Sequence, residues 1–279
     1  MKNLAKALAL GAGAVAGLAT VAWLGTRVPA RPFPPIAGTG RDLGTVPIPE
    51  TLPAPARRFL EALAGPQLPR AESFVVWGRA RLRLGLWMQA RFRAYHVAGR
   101  HFHRPLEITW FGLPLVRGVD QYVDGRGAML IAGQLMTNDA ISQGANHMLW
   151  AEAPCVPALY VTDERIRWEP VDDLSARLIV PSIEGEDTLT LRFDPETGLL
   201  TRLSAMRYKN ADEPKVLWHV DYSQWTRSPA VTYPGKVTVT WEDEGTPWSY
   251  WAIEGCAVNV DVGPQMEAAR AIMHAGAST

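Results

Sequence analysis

The sequence predicts a mainly β domain: one antiparallel sheet of about eleven or twelve strands, decorated by three small helices. Three observations carry that expectation. Period-two runs of apolar and polar residues follow one another almost without a break from residue 78 to residue 254. Turn signals separate them, above all Asp124-Gly125 and DPETG at 194–198. Helical periodicity is confined to short stretches.

Taken in order, residues 7–26 (ALALGAGAVAGLATVAWLGT) are uncharged, with Lys2 and Lys6 before them and Arg27 and Arg31 after. Twenty helical residues span about 30 Å, the thickness of a bilayer core. A signal-peptide cleavage after Ala30 would have Arg27 just upstream, a poor site, so an uncleaved single-pass anchor over residues 1–30 is expected. Residues 27–55 carry eight prolines. The stretch 31–53 reads as a stiff linker, or as a strap across the domain surface. Residues 54–279 then form a single β-rich domain, which the anchor would hold outside the cytoplasm.

APARRFLEALAG (54–65) predicts a helix, with Pro55 in its first turn, Ala56, Phe59, Leu60 and Leu63 on one stripe, and Gly65 at its end. In GRARLRL (78–84), Arg79, Arg81 and Arg83 alternate with Ala80, Leu82 and Leu84, which gives a basic face and an apolar face. WMQARFRAYHV (87–97) repeats the pattern, and GRHFHRPLEITWF (99–111) supplies a third strand. GLPLVRGVDQYVDGRGAM (112–129) divides into two strands about Asp124-Gly125. Read as a calcium loop it fails, because Tyr122 stands at the third position and Ile131 where the bidentate acid belongs. Thr137 or Asn138 can cap a helix through DAISQGANHMLWAE, with Ile141, Ala145, Met148 and Leu149 inward. Seven further strand patterns follow, and a C-terminal helix starts at Pro264.

Net charge is zero, yet residues 1–138 hold 17 Lys/Arg against 7 Asp/Glu, and residues 139–279 hold 11 against 21. The basic share alternates along strands and lacks lysine between residues 73 and 106, which argues for a sheet face and against a nucleic-acid arm. Cys155 and Cys256 have no metal-type spacing; they pair with each other or stay as buried thiols.

LPAPARRFLEAL, PLVRGVDQYVDGRG, LWAEAPCVPAL, RWEPVDD and LTRLSAMRY together resemble a bacterial family catalogued as domain of unknown function 6544, over residues 52 to about 255. The layout, with a helix at the start and another after the first five strands, also resembles the half-open barrel of the LolA/LolB lipoprotein carriers. These likenesses imply a fold; they assign no catalytic residue, and no cofactor or metal is expected.

Candidate functional residues come from charges and aromatics in unusual company. Arg117, Glu152, Glu169 and Arg207 interrupt strongly apolar runs, so arginine–carboxylate pairing across a barrel mouth is expected. Glu169 and Asp172 beside Trp168 form an acidic cluster in which a neighbouring indole would raise a carboxyl pKa. Tyr122 and Trp150, with the other strand tryptophans, are candidates for an apolar ligand wall. His96, His101 and His103 read as surface histidines on a basic strand. Function narrows to a membrane-tethered module that binds a lipid or similar apolar molecule. The alternatives are an envelope enzyme of hydrolase type using Trp168, Glu169 and Asp172, and a packed module without ligand. Oligomeric state is not readable.

Overall fold

Alternation along residues 73–136 and 167–258 produces two antiparallel meanders that share one sheet. In the computed structural model, which describes residues 16–36, 40–229 and 231–277, the first meander is β3 (Ser73–Leu84), β4 (Leu86–Val97), β5 (His101–Trp110), β6 (Leu113–Val123), β7 (Arg126–Ile131) and β8 (Gln134–Met136). The second is β9 (Arg167–Asp172), β10 (Ser175–Ser182), β11 (Gly185–Phe193), β12 (Leu200–Arg207), β13 (Val216–Arg227), β14 (Thr232–Trp241) and β15 (Pro247–Val258). β15 pairs with β3 and joins the two, so the order runs from β8 through β3 and β15 to β9. The sheet has thirteen strands and does not close, since β8 and β9 are free edges. A separate hairpin pairs β1 (Thr45–Pro47) with β2 (Gln67–Pro69).

The concave face is covered by helices. α1 (Ala54–Ala64) buries the predicted stripe of Ala56, Phe59, Leu60 and Leu63, and Gly65 ends it at φ 77°. Its Phe59 ring packs 5.1 Å from Phe193 and 6.2 Å from Tyr160. α2 (Asp139–Ala151) starts on Asn138, whose side chain accepts the Ile141 N–H at 2.7 Å. It bridges the two meanders: Ser142 Oγ accepts from Gly127 N on β7, and Asn146 Nδ2 donates to Pro181 O on β10. A helix gripped from two sides has no solvent face. Nine of its thirteen residues are buried, among them Ser142, Gln143, Asn146 and His147. The expected single apolar stripe is therefore too simple, and Ile141 and Met148 are the half-buried members. A 3-10 turn (Ala153–Cys155) and α3 (Leu159–Thr162) complete the cover.

On the convex face α4 (Gly263–Ala277) lays Met266 against Val75, Trp77 and Ala257, and the Ala269 carbonyl accepts from Gln121 Nε2 at 2.9 Å. Residues 31–36 run along the same face, with the Arg91 and Arg93 guanidinium groups 4.5 and 5.2 Å from the Phe33 ring. Residues 16–25 are helical. Trp110 Nε1 donates to Ala22 O at 3.0 Å, and Phe111 N donates to Gly25 O at 2.9 Å. No helix among the described residues is long and apolar enough to cross a membrane. Residues 1–15 of the expected anchor lie outside the described residues.

Candidate functional site

Strand phase decides which of the candidate side chains meet. On β5 the residues sharing the apolar phase are Phe102, Arg104, Leu106 and Ile108, so Arg104 is delivered into the concave face and is 2 % exposed. Its cross-strand neighbour on β6 is Asp120, which accepts from Arg104 Nη1 at 3.0 Å. From above, the end of α2 brings Glu152, which accepts from Arg104 Nη2 at 2.8 Å. His96 of β4, stacked on Phe74 at 4.1 Å, places Nε2 2.6 Å from Glu152 Oε2, a close contact lacking the alignment of a hydrogen bond.

The electrostatics follow from burial and from these partners. Burial favours protonated Glu152, but Arg104 and then His96 outweigh it and hold the carboxyl down to about 2. Burial lowers the His96 pKa more than Glu152 raises it, so this imidazole is biased towards the neutral form. Asp120 is pushed up by burial, against the pull of Arg104 and Arg207. Arg207 comes from β12, stacks 4.7 Å above Trp218 and 5.8 Å from Trp241, and is lowered by burial to about 10. Two arginines and two carboxylates thus share one layer, in which Arg104 is buried and Asp120, Glu152 and Arg207 are half-buried.

Below that layer lies a cavity of about 40 Å3, lined by Val76, Val220, Tyr222, Val239 and Trp251 from the sheet and by Ala151, Glu152 and Cys155 from the helical cover. A water needs roughly 10–15 Å3 by the same measure, and ligand pockets run to several hundred. Cys155 also walls a cleft of about 530 Å3 at one end of the barrel, bounded by Leu43, Leu63, Ala71, Val156, Val231 and Val258, with Arg41, Arg70 and Asn259 at its border. The Cys155 thiol keeps its proton, because contact with Cys256 and burial both push its pKa up. Both cysteines are free thiols.

Of the residues singled out in the sequence, Glu152 and Arg207 enter this interior. Trp150 is buried beside them and donates from Nε1 to Asn146 Oδ1 at 3.2 Å; Tyr122 packs half-buried against Phe102, Ala145 and Leu149. Arg117 has the opposite strand phase. It is exposed on the convex face, 3.2 Å from Glu107, and bridges no barrel mouth. Trp168 and Glu169 also separate: the indole turns inward and donates to Tyr160 O at 3.1 Å, whereas Glu169 faces solvent 3.5 Å from Arg167. The indole therefore does not bury that carboxylate. Asp172 is exposed at the end of β9, where it accepts from Leu174 N at 2.8 Å.

Two of the three histidines expected at the surface are buried, and His101 is half-buried, 3.7 Å from Asp124. His96 is fully buried on the concave side, and α4 covers His103, which contacts Gln121 at 3.0 Å. Among the described residues no group of three or more His, Cys, Asp or Glu could hold a metal ion. A Ser204–His219–Glu242 chain does occur on the convex face, at 2.8 and 2.7 Å. Ser204 and His219 are ladder partners on interior strands, so neighbouring backbone N–H groups serve the sheet and none is left to stabilise an oxyanion.

The sequence matches the Family of unknown function (DUF6544) over residues 45–253. The chain belongs to this family. No curated protein matches it. Among solved structures this DUF6544 chain is similar to a LolA superfamily protein from Nitrosomonas europaea, at 11% identity and a TM-score of 0.46, covering 77% of this chain and 97% of that one. It is similar to a Vibrio parahaemolyticus domain provisionally described as an outer membrane lipoprotein-sorting protein, at 6% identity and 0.46, covering 72% and 91%. It is also similar to a DUF1329 family protein from Desulfovibrio piger, at 13% and 0.41, covering 76% and 95%. At such levels the fold of the DUF6544 chain rests on its own sheet topology.

Proposed function

We propose that this chain is a membrane-tethered envelope protein that binds one lipid or similar apolar chain on the concave side of its open barrel. The supporting observation is a shared wall: Cys155 lines both the cleft of about 530 Å3 and the inner cavity of about 40 Å3, and apolar side chains line nearly all of the cavity and more than half of the cleft. The cavity as it stands takes only a few atoms. An acyl chain must therefore lift the turn Ala153–Cys155 away from β13, β14 and β15, starting from the cleft. Arg41 and Arg70 line the cleft with one acid, Asp42, so its charged lining is basic on balance and suits an anionic head group.

The small inner volume supports a second reading, a packed module that takes no ligand. Native mass spectrometry of the full chain, extracted in mild detergent, separates the two. The first reading expects a lipid-sized adduct that survives detergent exchange, one per chain. A bare chain that also takes up no added fatty acid would establish the second.

A further inference from the structure

The hairpin turns at one end of the first meander expose apolar residues that the fold does not need there. Leu84 and Leu86 flank the β3–β4 turn, and Trp110, Phe111, Leu113 and Leu115 form the β5–β6 tip; Leu113 is 70% and Leu86 65% exposed. The two tips are adjacent, because β4 and β5 pair up to Gln89 and Thr109. Phe111 sits at φ 49°, a left-handed turn position that suits glycine or asparagine and costs an aromatic residue energy. A strained residue that fills no core is a mark of use outside the fold.

Two further features say what covers this rim. The helix over residues 16–25 docks on it through Trp110 and Phe111, and its exposed side chains, Leu18, Val21, Trp23 and Leu24, are apolar as well. The sequence upstream, ALALGAGAV at 7–15, carries no charge. Arg27 stacks 4.4 Å over Trp23, and Arg81 lies 5.2 Å from Trp87 beside the rim. At the same end of the second meander the turns hold Glu184, Asp212, Glu213, Glu242, Asp243 and Glu244; Lys215 pairs with Glu184, Lys209 with Asp243 and Glu244, and Arg83 of β3 with Glu244, which leaves an acidic excess at Asp212 and Glu213. A surface of apolar tips with arginines behind them, next to a carboxylate-rich surface, fits an anionic bilayer on the first side only.

We propose that the β3–β4 and β5–β6 tips are a membrane-contacting rim: they enter the boundary between head groups and acyl chains, beside the N-terminal helix, with the turns at Glu184 and at Asp212–Glu213 held away. This rests on the membrane tether of the proposed function and not on its apolar ligand. It also places the cleft at Leu63 and Val231 at the opposite end of the strands, away from the bilayer.

The full chain in phosphatidylcholine–phosphatidylglycerol vesicles tests it. A cysteine at Leu86 or Leu113, and one at Asp212 for reference, carries an NBD probe. Signal from the native thiols is subtracted using the labelled unsubstituted chain. The expected result is several-fold stronger quenching by nitroxide-labelled lipid at residues 86 and 113 than at 212. Equal quenching at the three positions overturns the rim and leaves the tether standing. A chain that does not float with the vesicles overturns the rim and the tether together. A probe at residue 113 that responds to protein concentration and not to nitroxide lipid also overturns it, and makes the rim a contact between copies of the chain.

Discussion

Arg104 and Glu152, from a strand and a helix end 48 residues apart in sequence, meet at 2.8 Å inside the concave face. Asp120 takes the other guanidinium nitrogen at 3.0 Å, so one cation ties two strands and the helical cover together. Removing it leaves two half-buried carboxylates without their partner. Arg104→Met is expected to cost about 3–5 kcal/mol of stability, read as a shift in the urea midpoint. Glu152→Gln in the same chain should recover part of that loss, since one stranded charge disappears.

Acid stability follows from the same carboxylate. The Glu152 carboxyl falls from 4.5 to about 2 on folding, which corresponds to about 3 kcal/mol. Because the folded value is the lower one, this stabilisation is complete above about pH 4.5 and is lost as pH falls towards 2. Asp120 works in the opposite sense, since burial raises its pKa. Urea unfolding at pH 7, 5 and 3 should therefore show a flatter acid limb in Glu152→Gln than in the unsubstituted protein. Parallel limbs would mean that other carboxylates dominate.

The Asp124-Gly125 turn has both residues at positive φ, 52° and 82°, between the paired residues Val123 and Arg126. That is the two-residue corner expected from sequence. Gly125→Val should lower stability by about 1 kcal/mol or more, because a β-branched residue tolerates this region worst. Asp124→Asn keeps the turn but loses the contact with Arg270 Nε at 3.1 Å. That pair is exposed, so the loss should stay below about 1 kcal/mol, and calcium should not change the melting temperature of either variant.

Phe59 fastens α1 to the barrel through Phe193, Tyr160 and Trp225. Phe59→Ala should cost about 3–5 kcal/mol, and thermal melts give the value. A much smaller loss would mean that α1 detaches without disturbing the sheet.

Period two in the sequence announces most of the strands and the Asp124-Gly125 hairpin, because strand phase is a local property. The same rule, applied to β5, places Arg104 in phase with Phe102 and Leu106, so the centre of the ion layer was legible there. Two histidines and two arginines between residues 100 and 104 make the start of that strand look basic and hide the phase. Arg117, one phase off, drew attention instead, although alternation sends it to the convex face. The basic face was foreseen, but its neutralisation was not. Arg79 meets Glu254 at 2.5 Å and Arg83 meets Glu244, through pairings that join residues far apart in sequence, and Arg91 meets Glu107 at 2.6 Å across the β4–β5 hairpin. Helix α2 shows the same limit: a helix held between two sheet edges buries polar residues whose partners, such as Asp187 for His147 at 2.9 Å, no local pattern reveals.

Binding of a pyrene-labelled fatty acid to the full chain and to Val239→Trp shows whether the barrel interior takes an apolar ligand. Val239 lines the inner cavity, and an indole there fills the space an acyl chain would enter. Saturable binding at one site per chain is expected, weakened at least tenfold in Val239→Trp while the melting temperature shifts by only a few degrees. Equal affinity in the two proteins, or no saturable binding in either, would contradict binding of an apolar ligand there.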